Sequence, residues 1–140
     1  MARLISVIEA VSQASMEIGI SQTPVTAAVG SRDEDIAQMV ALLSAVAEEV
    51  LAESPYEEAL GDGYWLQAAD GTPRAAPVQD DDLIQFAPRL AINGLKYRFL
   101  QAKGLEFGEP LRDFTATQNR IAARANARVL DLDYDEGRVQ

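Results

Sequence analysis

Between Ser31 and Pro55 the chain carries one uninterrupted amphipathic series, SRDEDIAQMVALLSAVAEEVLAESP, and the remainder has to pack against it. Ile36, Met39, Val40, Leu43, Val46, Ala47, Val50 and Leu51 recur at short steps of mostly three and four, and Leu42 widens the stripe. That period belongs to an α-helix. Ser31 and Glu34 fit the Ser-x-x-Glu capping box, while Asp33 and Asp35 place negative charge where the helix dipole favours it. Pro55 supplies the stop. The spacing predicts a helix to about Glu53, roughly 30 Å long at 1.5 Å per residue, as the spine of the fold.

Three further helices are predicted around it. Leu4, Ile5, Ile8, Val11 and Ile18, with Ala10 and Ala14, mark a first helix of about four turns, closed by Gly19. A third opens at Asp80, Asp81 and Asp82, whose charges suit a helix start. It runs through Leu83, Ile84, Phe86, Ala87, Leu90, Ala91, Leu95, Phe99 and Leu100 to a stop at Gly104, with Gly94 as a point of bending. A fourth begins near Pro110, with Leu111, Phe114, Ile121, Ala122 and Ala125 on a narrow apolar stripe. Between the second and third, residues 55–79 form a loop or hairpin excursion. Asp70-Gly71 makes its turn, Pro73 and Pro77 exclude a helix, and Tyr64 and Trp65 anchor it. The last stretch, VLDLDYDEGRVQ, alternates Leu130, Leu132 and Tyr134 with Asp131, Asp133 and Asp135, which is strand periodicity. The expected fold is mainly α: a four-helix bundle-like single domain over residues 1–128, with an extended C-terminal tail over 129–140.

Composition narrows the chemistry. The 140 residues include no cysteine and no histidine, so disulfides, thiolate metal sites and the commonest general base are all missing. No Gly-rich phosphate loop and no nucleophile elbow is present. Glu106 and Glu109 flank a helix start, where carboxylates are commonplace. Asp131, Asp133 and Asp135 invite a calcium reading, but Gly137 falls one place late and the bidentate acid would lie beyond Gln140. The chain reads as a structural protein and not an enzyme, with no metal and no cofactor. No segment approaches the ~20 apolar residues of a membrane span, and the start has Glu9 where a signal peptide would be apolar, so a cytosolic chain is expected.

The formal net charge is −10, but it is not evenly spread. Residues 1–82 carry −12 and residues 83–140 carry +2. Arg120, Arg124 and Arg128 stand at i, i+4 and i+8, which makes one ladder on a helix. Opposite charges in different parts of the chain suit packing of an acidic face on the basic face of another copy, and are equally explained by each sign solvating its own helix. A ladder of this kind can also track a nucleic-acid backbone, although a pI of about 4.3 is far from that of a dedicated DNA binder.

The order of pieces resembles a known family. A first helix ending in EIGI, the long IAQMVALLSAVAEEVLAE helix, an aromatic excursion and APRLAINGLKYRFLQAKGLEFGEPLRDFTATQNRIAARAN together resemble the head-to-tail connector, or adaptor, proteins of tailed bacteriophages; GLKYRFLQAKGLEFGEPLRDF, residues 94–114, is the most specific part. The resemblance implies a virion protein of the head–tail neck, assembled in the host cytoplasm. It would form a ring of about twelve copies beneath the portal, extend the DNA channel and present the docking surface for a tail, tail-terminator or nozzle protein. Non-specific contact with packaged DNA is also implied. Val129, Leu130, Leu132, Tyr134 and Val139 would form the portal-docking tail. Lys96, Arg98, Lys103, Arg120, Arg124 and Arg128 would be subunit-facing or channel-facing, with the first three meeting a neighbour's acidic face or snorkelling from a packed helix. The alternative is a small helical DNA-binding regulatory module that uses the arginine ladder.

Overall fold

The computed structural model describes residues 3–53, 55–60 and 62–139, with side chains through residue 126. Its first helix, α1 (Val7–Glu17), starts at a capping box the sequence also spells, SVIE. The Ser6 hydroxyl accepts from the Glu9 amide at 3.2 Å, and the Glu9 carboxylate accepts from the Ser6 amide at 3.2 Å. Two orphan donors are thereby satisfied reciprocally. The helix buries Val7, Ala10, Val11 and Ala14 and ends in a Schellman turn: Gly19 takes φ +80°, and the Ile20 amide reaches back to the Ser15 carbonyl at 2.9 Å.

The spine is α2 (Glu34–Leu51), burying Ile36, Met39, Leu43, Val46, Ala47 and Val50 as the periodicity predicts. The box expected at Ser31 and Glu34 does not form. Asp33 is the N-cap, its carboxylate accepting from the amides of Asp35 at 2.9 Å and Ile36 at 3.3 Å, while Ser31 Oγ accepts from the Asp33 amide. An aspartate directly before the first helical residue reaches those donors itself, so the serine two places earlier serves the preceding turn. Past Pro55 the chain makes one further turn, α3 (Tyr56–Ala59).

The excursion is a hairpin, as expected, with a third strand that was not. β1 (Leu66–Gln67) and β2 (Pro73–Arg74) pair antiparallel in the register Leu66↔Arg74 around a turn at Asp70-Gly71, where Gly71 takes φ +92°. β3 (Leu83–Ile84) pairs on the other side of β1, giving the order β2-β1-β3. Leu83, Ile84 and Phe86, expected inside the third helix, therefore precede it, and α4 runs Pro88–Ala102. Pro88 explains the difference: its ring disfavours a helical Ala87, which sits at ψ 132°, and itself suits the first helical position. The sheet also holds the chain start, since the Ile84 amide donates to the Ile5 carbonyl and the Val7 amide to the Asp82 carbonyl, each at 2.9 Å.

α4 is the central helix. It packs against α1, α2 and the last helix, α5 (Gly108–Val139), and buries eight of its residues, including Leu90, Leu95, Tyr97 and Phe99. Gly94 is the contact point: a Cβ built there would lie 2.5 Å from Val46 Cγ1 and 3.3 Å from the Phe114 ring. It permits close approach of three helices, which is a different role from bending α4. Gly94→Ala is therefore expected to destabilise by about 1–2 kcal/mol in urea unfolding, since overpacking outweighs the gain in helix propensity. A neutral or stabilising result would mean that Val46 can move aside.

The tail also differs from expectation. The backbone of α5 stays helical through Val139, so residues 129–139 continue the helix in place of an extended segment. Alternation of Leu130, Leu132 and Tyr134 could specify a strand only with a partner edge, whereas the helix satisfies its backbone hydrogen bonds internally. At 1.5 Å per residue the 32 residues of α5 span roughly 48 Å against roughly 22 Å for the 15 of α4.

Candidate functional site

The surfaces available for function are sorted by which charges the fold consumes. The basic residues of α4 are all paired within the chain. Arg89 grips Glu17 of α1 through two nitrogens at 2.9 and 3.1 Å, and Lys96 reaches the same carboxylate at 2.8 Å. Arg98 meets Glu49 of α2 at 2.6 Å, and Lys103 meets Asp35 at 3.3 Å. Lys96, Arg98 and Lys103, expected to meet a neighbour's acidic face, to face a channel or to snorkel from a packed helix, spend their charge on acids of α1 and α2. A basic central helix in an acidic chain is what these ion pairs require.

The arrangement displaces the titrations of Glu17 and Tyr97 furthest, and raises those of Arg89 and Arg98. The Arg89 guanidinium, aided by Lys96 and Gln13, holds the Glu17 carboxyl down at about 2, against the opposing effect of burial. Burial, and then the acceptor Glu49, push the Tyr97 phenol up to about 12. Because the Glu17 value is depressed on folding, its stabilisation is complete above the ordinary value of 4.5 and is lost as pH falls towards 2. For a pair open to solvent we expect about 1 kcal/mol. Glu17→Gln should lose that amount at neutral pH, with the gap to wild type closing in unfolding experiments as pH falls below 4.5. A gap independent of pH would assign the loss to packing.

The cations of α5 present a different picture. Arg112, Arg120 and Arg124 are exposed, and none takes part in an ion pair among the described residues. The side chain of Arg128, third in the ladder, lies outside the described residues, as do those of Val129, Leu130, Leu132, Tyr134 and Val139 of the docking tail and the aspartates of the calcium-like run. A complementary acidic surface runs along the end of α2 and α3, where Glu48, Glu53, Glu57, Glu58 and Asp62 are exposed.

The excursion is held by one aromatic of the expected pair. Trp65 is buried against Phe86, ring centroids 6.1 Å apart, and its indole nitrogen donates to the Ala75 carbonyl at 2.8 Å. Tyr64 is 48% exposed and lines a shallow surface cleft with Leu60, Leu66 and Pro73, so it anchors nothing.

The three aspartates that were expected to open the third helix are divided between loops. Asp80 accepts from the amides of Ala28 and Val29 at 3.1 and 2.7 Å, tying down the α1–α2 loop. Asp82, fully buried, accepts from the amides of Val78 and Gln79 at 2.9 and 3.0 Å. Its other oxygen lies 3.2 Å from Arg74 Nε, an ion pair by distance whose alignment falls short of a hydrogen bond. Sequence reasoning missed these roles, and the only signal was Pro88, which detaches the aspartates from a helix start.

A cleft of about 280 Å³ lies between the end of α1, α4 and the start of α5, lined by Glu17, Lys96, Leu100, Glu106, Glu109 and Asp113. Lys96 and Glu17 are paired there, and Glu106 accepts from the Gly108 amide at 3.0 Å, capping the start of α5. No group of three or more metal-ligating side chains occurs among the described residues, and no helix among them is long and apolar enough to cross a membrane. No family model, no curated protein and no solved structure matches the chain.

Proposed function

We propose that the chain is a head-to-tail adaptor subunit of a tailed-bacteriophage virion, a structural protein that forms a ring under the portal, extends the DNA channel and offers the tail its docking surface. The observation that carries this reading is the length of α5. Ile121 is its last described side chain packed on the core, so about 18 residues of helix continue beyond it. A helix of that length offers a lever for contact with other chains, and the resemblance to the adaptors supports the portal as the partner. Copy number in this reading follows the portal's symmetry.

The test is cryo-electron microscopy of the chain mixed with a candidate portal ring. Ring density of this chain on the portal is the expected result. A chain that ignores the portal but retards duplex DNA in a salt-sensitive way would instead favour the small regulatory module. Deleting residues 129–140 should leave the melting temperature within about 2 °C of the full chain while removing portal binding, because every described core residue lies at or before Ile121. A large loss of thermal stability would place the deleted segment in the folding unit and count against its role as a docking arm.

A further inference from the structure

The α5 arginines and the acids of the α2–α3 corner that enter no ion pair among the described residues lie at the same level of the molecule. Gln118 Nε2 donates to the Glu49 carbonyl at 3.5 Å, so α5 lies beside the C-terminal end of α2 at that point. Arg120 is two residues from that contact on one helix, and Glu48 one residue from it on the other. They cannot satisfy each other. At about 100° per residue, Arg120 sits on the far side of α5 from Gln118, and Arg124 follows one turn on. No acid among the described residues pairs with this face, so a surface of a second molecule is free to meet it.

The same chain has acids to offer. Residues 48–62 hold six acids and no base, and only Glu49 among them is ion-paired in the described structure. Glu48, Glu53, Glu57 and Glu58 are all exposed. Like charges gathered this closely repel one another, and a cationic surface brought against them relieves that repulsion.

We infer that the outer face of α5, through Arg120 and Arg124, docks on the acidic α2–α3 corner of a second copy of this chain. The two patches differ, so the contact is heterologous: each copy gives one patch and receives the other. Because both lie at one level, copies associate side by side, the geometry that closes into a ring, where patches at opposite ends would build a stack. This deepens the adaptor reading by naming the surfaces of its ring, and rests on that reading for the ring itself.

The absence of native cysteine makes the contact directly testable in the full-length chain. Ala59 and Ala123 are exposed, one on α3 and one on the outer face of α5, and neither carries a charge. An equimolar mixture of Ala59→Cys and Ala123→Cys chains, oxidised at low salt, should yield the mixed disulfide dimer well above either homodimer. Adding Arg120→Glu and Arg124→Glu to the second chain should lower its yield on the order of tenfold, and salt of roughly 0.5 M should also lower it. Giving the first chain Glu57→Arg and Glu58→Arg should restore it. The substituted side chains are exposed, and circular dichroism melting verifies that each variant folds.

Absence of the mixed dimer, predominance of the Ala123→Cys homodimer, or a yield indifferent to charge reversal would each overturn the inference. So would duplex DNA retarded by the wild type, but not by the arginine-reversed chain, with no mixed dimer formed; the face would then belong to nucleic acid. The two readings fail separately. Mixed dimer without portal binding sinks the adaptor assignment alone, and portal binding without mixed dimer sinks the docking contact alone.

Discussion

Replacing Phe114 by alanine is expected to cost about 3–5 kcal/mol of folding stability, a large share of the ~5–15 kcal/mol a domain of this size has. Phe114 is fully buried, its ring 5.4 Å from that of Tyr97, and it fills the space that Gly94 leaves open on α4. It is the only fully buried described side chain of α5; Leu111 and Ile121, which flank it, are partly exposed. Truncation should therefore loosen α5 before the rest of the bundle. Urea unfolding measures the size of the loss, and hydrogen exchange its location, with α5 amides losing protection while α1 and α2 keep theirs. A loss below about 1 kcal/mol, or uniform deprotection, would mean that α5 is not held through this side chain. Phe114→Leu, which keeps most of the volume, should cost about 1.5 kcal/mol or less.

Replacing Asp82 by alanine is expected to cost about 3 kcal/mol. Its carboxylate answers two backbone donors, Val78 and Gln79, and neutralises Arg74 across the sheet. A hydrogen bond to a charged group is worth ~1.5–3 kcal/mol, and the loss of two is offset in part because Val78 and Gln79 are exposed and Arg74 partly so, and all three recover some hydration. Asp82→Asn keeps an oxygen for the two amides and loses only the charge, so about 1 kcal/mol is expected from it. Denaturant midpoints separate the contributions: equal losses for both variants would show that the ion pair, and not the backbone caps, carries the effect. Since Trp65 spans from Phe86 to the Ala75 carbonyl in the same excursion, its fluorescence should report the local loosening in the alanine variant.

These side chains also show how far the sequence could be read. The α2 stripe was legible because one face of one helix is buried, and burial of a face leaves a period of 3.6 in the residue types. The turn at Asp70-Gly71, the stops at Gly19 and Gly104 and the burial of Trp65 were legible for equally local reasons. The third helix was misplaced at its start because an apolar run of Leu83, Ile84 and Phe86 serves a short buried strand as well as a helix. Its position beside β1 depends on residues almost twenty places away. Ser31 and Asp33 both fit the cap of α2 by residue type, and only the nearer one reaches the donors, while the box of Ser6 and Glu9 is hidden inside an apolar series that begins two residues earlier, at Leu4.

The candidate surfaces divide along the same line. Residue types and their spacing along one chain are enough for the mainly helical class, the lack of thiol and imidazole chemistry and the separation of acidic from basic segments. Which of the basic residues remain available depends on how the helices pack. Lys96, Arg98 and Lys103 are as cationic as Arg120 and Arg124, and no pattern distinguishes them. What separates them is that α1 and α2 bring Glu17, Glu49 and Asp35 against α4, across 79, 49 and 68 residues of chain, while the outer face of α5 meets no acid of its own molecule among the described residues. Coulomb attraction acts over a few ångströms of space and takes no account of sequence separation, so the sum of charges was readable from the chain and their cancellation was not.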